Sequence, residues 1–268
     1  MRPGRCVMIG RSDIITAILF LAFIALVLFM PAAAPVFHWL FPDNPRPVFL
    51  RASFLELTLA HAQLVALSAG AAAAFAISIA IFVTRPVGRE FLPIVGALAA
   101  VGQTFPPAAV LALAVPALGY GEAPTLLALF LYSILPILEG TIAGLHAVRA
   151  DVREAADGVG FSPMSKLLRI ELPLAAPYIV AGLRTSVIIA IGTATIGSTI
   201  GALSLGSPIV EGLAAENTAY VIEGAIVVAL FAILVDRGFE MLERRLVIPS
   251  RSELPASRPR QGAAAAAR

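Results

Sequence analysis

Long apolar stretches alternate with short polar ones along the whole chain, and six of the apolar stretches are long enough to cross a bilayer as helices. They are Ile14–Met30, about 55–83, about 91–118, about 124–145, about 175–203 and about 218–235. The first carries no charged residue. The third holds Pro93, Pro106, Pro107 and Pro116, so a broken helix is expected there. Two gaps stand out. Residues 31–53 are rich in proline and aromatic residues, including Trp39, and read as a loop outside the membrane. Residues 146–174 are polar and charged. The pattern predicts an all-α polytopic membrane protein with six spans.

Composition agrees with lipid as the solvent. Hydrophobic residues make up 59% of the 268 and charged residues 13%, whereas a soluble domain carries about 25% charged residues. The basic residues scatter between the apolar stretches, which argues against a nucleic-acid surface. They also set orientation, because basic loops stay on the cytoplasmic side. With both termini cytoplasmic, 16 of the 19 basic residues fall inside; Arg46 and Arg51 fall outside and Arg184 lies within a span. The first stretch has some features of a signal peptide, namely a basic start and Ala32–Ala33–Ala34. Its 17 apolar residues exceed a usual signal core and Pro35 follows the small residues, so an uncleaved helix is expected. On this reading residues 1–54 form a tail, the first helix and an extracytoplasmic loop. Residues 55–246 form the core, and residues 247–268, rich in Arg, Pro, Ser and Ala, form a disordered tail.

Chemistry-bearing constellations are sparse. His38, His61 and His146 do not pair at helical spacing, Cys6 is the single cysteine, and no G-x-S-x-G occurs. Catalytic residues and a metal site are therefore not expected. The one lysine, Lys166, follows Phe161–Ser162–Pro163–Met164–Ser165 rather than the glycines that wrap a nucleotide's phosphates. If ATP drives this protein, another chain hydrolyses it.

The most informative segment is residues 151–173, DVREAADGVGFSPMSKLLRIELP. It reads as two short helices around a turn. Gly158 and Gly160 allow positive φ; Ser162 fits an N-cap and Pro163 the first helical position. The second helix sets Leu167, Leu168 and Ile170 among Lys166, Arg169 and Glu171, and Pro173 is expected to end it. Such an amphipathic pair suits either docking on a soluble partner or lying on lipid headgroups.

Glu154–Ala155–Ala156, Gly160, Ile170, Leu172 and Pro173 stand at the spacing of the EAA loop, E-A-A, three residues, G, nine residues, I-x-L-P. In these residues the chain resembles the permease subunits of binding-protein-dependent ABC importers. The resemblance implies a type I, methionine-importer-like transmembrane fold in the bacterial inner membrane. It implies coupling helices at 151–173 that insert into an ATPase subunit, a second permease copy, identical or related, and two ATPase subunits. It further implies an extracytoplasmic solute-binding protein. No cofactor is expected in this chain, with ATP and magnesium held by the ATPase. Over about 55–246 the chain is most similar to the osmoprotectant branch, which imports glycine betaine, choline and carnitine. Gln103–Thr104–Phe105–Pro106, Leu135–Pro136–Ile137–Leu138, Ala181–Gly182–Leu183–Arg184–Thr185, Ile191–Gly192–Thr193–Ala194–Thr195 and Asn217 carry that similarity. Glu139–Gly140 and Ala202–Gly206 depart from it.

Two other functions stay open at this level. One is a permease for a different small polar solute, such as an amino acid. The other is an ion-coupled secondary transporter, for which Glu139 and Glu223 are the available intramembrane acids. The residues expected along a translocation pathway are Gln103, Thr104, Pro106, Glu139, Thr193 and Thr195. For each a packing or local role stands beside the pathway role: a kink at Pro106–Pro107, backbone-bonded hydroxyls at the threonines, and an ion pair for Glu139. Arg184 is expected to pair with Glu171 or with an acid of a neighbouring subunit. Gly140-x-x-x-Gly144 and Gly197-x-x-x-Gly201 are expected where helices approach closely.

Overall fold

The computed structural model describes residues 11–246, with side chains described from Ile14 on. Cys6 and the tail predicted to be disordered lie outside the described residues, as does the basic N-terminal segment before Arg11. Among the described residues there are helices and turns and no strands.

Helix α1 covers Arg11–Phe29 and continues through a 3-10 turn, Met30–Ala33, into α2, Ala34–Leu40. The loop expected from Pro31 thus begins only at Phe41. Pro31 and Pro35 each fall in the first turn of the element they enter, where a missing N–H costs nothing, so they restart the helix instead of ending it. Ser53 then caps α3, Phe54–Val83, by accepting the Glu56 N–H at 3.1 Å.

The third apolar stretch is two helices. α4 covers Leu92–Thr104 and α5 covers Pro107–Leu118, and their axes bend by 92° across Phe105–Pro106. The prolines therefore break the span far more sharply than a kink would. Among the described residues five helices are long and apolar enough to cross a membrane, and the bent pair makes a sixth crossing if taken together.

α6, Glu122–Ala147, is the centre of the bundle, packed along α3 and α4 and along α9, which covers Leu172–Gly197. Small residues allow this. Gly140 faces Gly182, Gly144 faces Ala175 and Tyr178, and Thr125 faces Gly197, a single antiparallel register along the full contact. A β-carbon on Gly182 would stand 2.5 Å from the Pro136 carbonyl oxygen, and one on Gly140 would stand 2.7 Å from that of Tyr178. Gly201 differs from expectation: it sits beyond α9 at φ +86 with open space around it, a turn residue and not a helix contact. Ala72, Ala76 and Ala80 of α3 pack in the same way against Ile137 and Leu138 of α6.

A short helix absent from the sequence reading, α10, Ser207–Ala214, precedes α11, Thr218–Leu246. α11 packs on α9 and α1, with Phe23 stacked on Phe231 at 6.0 Å between ring centroids. Ile18, Leu21, Phe29, Leu98 and Leu113 point outward and exposed, as befits a surface solvated by lipid.

Candidate functional site

Between α6 and α9 the chain builds two short helices. α7 covers Ala150–Gly158 and α8 covers Pro163–Lys166. The joint between them is a Schellman turn. Gly160 stands at φ +83, its N–H donates to the Asp157 carbonyl at 3.0 Å, and the Phe161 N–H donates to the Ala156 carbonyl at 3.1 Å. Gly158 is helical and plays no such part. Ser162 caps α8 as expected, accepting the Ser165 N–H at 3.3 Å, with Pro163 at the first position. Lys166 reaches back across the turn, its Nζ 2.6 and 2.8 Å from the two oxygens of Asp157.

Pro173 does not end this helix. A π turn, Leu167–Glu171, carries the backbone from α8 straight into α9, and Pro173 lies in the first turn of α9, where no N–H is needed. Leu167 and Glu171, four residues apart, share the inward face. Leu167 and Glu171 are buried, while Leu168 and Arg169 are exposed.

Glu171 is 2% exposed and holds two arginines from different elements. Arg85 Nη2, in the turn after α3, donates to Oε2 at 2.5 Å, and Arg153 Nε of α7 lies 3.3 Å from Oε1. Arg153 Nη2 also donates to the Leu145 carbonyl, in the last turn of α6. Arg184, for which Glu171 was one expected partner, is instead held by α11. Its Nε and Nη2 donate to the two oxygens of Asp236 at 2.6 and 2.8 Å, and its Nη1 donates to Glu243 at 3.1 Å. Physical proximity explains the change, since α9 and α11 pack side by side while Glu171 is already occupied.

The remaining motif residues divide between surface and core. Glu154 and Ala155 are exposed, Ala156 is 3% exposed and anchors α7, and Ile170 and Leu172 are half-buried. Around them Val159, Met164 and Leu168 stand 75%, 63% and 57% exposed. Large apolar side chains exposed on a polar loop suit contact with another protein or with lipid.

The six residues expected along a pathway lie on α4, at its break with α5, on α6 and on α9. Pro136 has no N–H, which leaves the Tyr132 carbonyl of α6 without its helical donor. Gln103 supplies one, its Nε2 donating to that oxygen at 2.8 Å. Gln103 is therefore a strut between α4 and α6. Thr104 donates to the Val101 carbonyl and Thr195 to the Gly192 carbonyl, each at 2.7 Å, so both hydroxyls are spent on their own helices. Ser198 serves a local cluster with Ser204 and Ser207. Thr193 is half-buried on α9. Glu139 sits about 10 Å nearer the α7–α8 loop than Tyr132, at 1.5 Å per residue. Thr104, Pro106 and Glu139 are exposed on the outside of the chain, and Glu139 has no ion pair among the described residues, contrary to the pairing expected.

At the opposite end the loop after α2 is strapped to α10 and α11. The Phe49 N–H donates to Glu223 Oε2 at 2.9 Å, Asn44 Nδ2 to Asn217 Oδ1 at 2.7 Å, and Asn217 Nδ2 to the Arg46 carbonyl at 2.9 Å. Arg51 lies 2.8 Å from Glu211. A polar cleft lined by Asp43, Arg46, Arg51, Glu211, Glu216 and Asn217 opens there. Glu223 is thus a buried fastener of this strap.

Comparison with known proteins adds the following. Residues 75–248 match the family of binding-protein-dependent transport system inner membrane components. The chain is 40% identical over 192 residues to an osmoprotectant import permease protein of Salmonella typhimurium, covering 72% of this chain and 81% of that one. It is 44% identical over 144 residues to the choline transport system permease protein of Bacillus subtilis, covering 54% of this chain and 66% of that relative's length. Its fold is similar to a chain of the MetNI methionine ABC transporter in an inward-facing conformation, with a TM-score of 0.64 at 17% identity, over 71% of this chain and 94% of that one.

Proposed function

Because the chain belongs to the inner membrane components of binding-protein-dependent transport systems, we propose that it is the permease subunit of an ATP-driven importer of quaternary-ammonium osmoprotectants. In this reading α7 and α8 seat in a groove on an ATPase subunit. The apolar side chains of Val159, Met164 and Leu168 supply the contact and exposed Glu154 supplies a polar partner. ATP and magnesium belong to that subunit. Two permease copies, identical or related, face one another, each with its own ATPase, and a solute-binding protein delivers the solute at the end that carries the polar cleft around Asn217.

The observation that carries this proposal is the coupling loop: a Schellman joint at Gly160 presents a rigid, partly apolar helix pair between two spans. The exposed Glu139 supports the second permease copy. A carboxylate on a span is costly in lipid and calls for water or another chain against it. Thr104 and Pro106 share that exposure, which supports a pathway between chains rather than within one. The solute class rests on the relatives named for choline and osmoprotectants.

Affinity purification of the tagged chain from membranes tests the proposal. The expected result is co-purification of an ATPase subunit, lost when Val159, Met164 and Leu168 are together replaced by serine. Recovery of the chain without an ATPase under conditions that keep it folded contradicts the proposal.

A further inference from the structure

We infer that Glu171 is the positioning residue through which a displacement of coupling helix α7 reaches α3 and α9. The inference rests on the proposed coupling function and names the side chain that transmits it.

α7 is poorly anchored by packing. It has nine residues and one buried side chain, Ala156. Its firm attachment is Arg153, which grips the Leu145 carbonyl at the end of α6 and lies 3.3 Å from Glu171 Oε1. The other oxygen of the same carboxylate holds Arg85 at 2.5 Å, just past the end of α3. Glu171 itself closes the π turn that leads into α9. One carboxylate therefore joins three elements, with each oxygen assigned to a different arginine. A movement of α7 that shifts Arg153 pulls on the side chain that fixes the start of α9 and the end of α3 together.

Burial makes this joint discriminating. A side chain 2% exposed cannot exchange an arginine for water at low cost, so the carboxylate keeps its partners or the elements move with it. The π turn suits a joint of this kind: its wider backbone repeat is rare and concentrates at functional sites within helices. Asp157–Lys166 keeps α7 and α8 together as one lever. The lever then meets the spans at the Arg153 grip on α6, through the π turn into α9, and at the Glu171 carboxylate that ties both to the end of α3.

The test uses the whole complex, permease with its ATPase subunits, in lipid vesicles with the solute-binding protein and radiolabelled choline as probe. The quantity read is choline accumulated per ATP hydrolysed. Glu171→Gln keeps the shape and removes the charge. Its expected result is ATP hydrolysis within about twofold of wild type, unchanged co-purification of the ATPase, and a fall of tenfold or more in choline moved per ATP. Wild-type stoichiometry in Glu171→Gln overturns the inference. So does a parallel loss of hydrolysis and ATPase binding, since that marks a merely structural role. Should Glu171→Gln fail to accumulate in the membrane, Arg153→Gln decides, because it removes one arm from a half-buried site. It is expected to uncouple in the same sense, with Arg153→Lys restoring part of the ratio, and normal coupling by Arg153→Gln overturns the inference. A wild-type complex that hydrolyses ATP without moving any solute tested overturns the functional proposal itself. Wild-type coupling with an unaffected variant overturns the positioning role alone.

Discussion

Lys166 and Asp157 clasp one another across the turn between α7 and α8, with the ammonium nitrogen 2.6 and 2.8 Å from the two carboxylate oxygens. Lys166 is the one lysine in the chain, and the clasp holds two short helices as a single body. Asp157 is 58% exposed, so the pair is worth about 0.2–1 kcal/mol, in the range of solvent-exposed ion pairs. Lys166→Met is therefore expected to leave the protein in the membrane and to lower uptake only a few-fold. The exchange Asp157→Lys with Lys166→Asp should recover most of it. Uptake at matched membrane abundance checks this, and an abolished signal in Lys166→Met would show that the lysine does more than clasp.

Gly160 gives a sharper case. A β-carbon there meets nothing within 4 Å, so any cost of substitution comes from the backbone at φ +83. Left-handed backbone costs a residue with a β-carbon about 1–2 kcal/mol, most for β-branched side chains and least for Asn. Gly160→Val is expected to abolish uptake and weaken ATPase co-purification at near-normal membrane abundance, with Gly160→Asn intermediate. Equal uptake by the two variants would mean that the turn's geometry is not what matters.

The α6–α9 contact predicts a stability effect separable from coupling. Gly182→Ala drives a β-carbon against the Pro136 carbonyl oxygen, 2.5 Å away, whereas Gly192→Ala in the same helix meets nothing within 4 Å. Overpacking of this kind costs about 1–3 kcal/mol. Thermal unfolding of the purified protein should show a lowered midpoint for Gly182→Ala and none for Gly192→Ala. Equal midpoints would mean that the helices separate freely along this seam.

The basic-residue asymmetry predicts an orientation with the α7–α8 loop inside. Reporter fusions after Pro42 and Gly121 are expected to report the outside, and fusions after Gly88 and Gly160 the inside. An outside signal at Gly160 would keep the coupling helices away from any cytoplasmic ATPase.

Apolar length and proline placement made most of the bundle legible, and the glycine, Ser162 and Pro163 made the coupling loop legible to the residue. What escaped depended on position within a helix and on tertiary partners. Prolines 31, 35 and 173 read as breakers, yet each falls in a first turn where proline is tolerated. Glu171 is buried beside Leu167, and only its arginine partners from the end of α3 and from α7 explain a carboxylate there. Arg184 showed a need for an acid, but choosing Asp236 and Glu243 over Glu171 required knowing that α11 lies beside α9. Gln103 is polar within a span, and its helix-to-helix bond is a second role beside the expected pathway one. Its bond to the Tyr132 carbonyl follows from Pro136 four residues later, a signal that was present in the sequence and unused. Glu223 likewise read as a candidate ion-coupling acid, and its tie to the Phe49 N–H depends on a loop 174 residues away in sequence.

The most direct test of the account is solute accumulation by the reconstituted complex. Permease and ATPase are placed in sealed lipid vesicles, with ATP and magnesium on the ATPase side and choline-loaded binding protein on the other. The account predicts choline accumulation that requires ATP, persists when ion gradients are collapsed, and disappears with Gly160→Val. Accumulation driven by a sodium or proton gradient without ATP would contradict it and identify the chain as a secondary transporter.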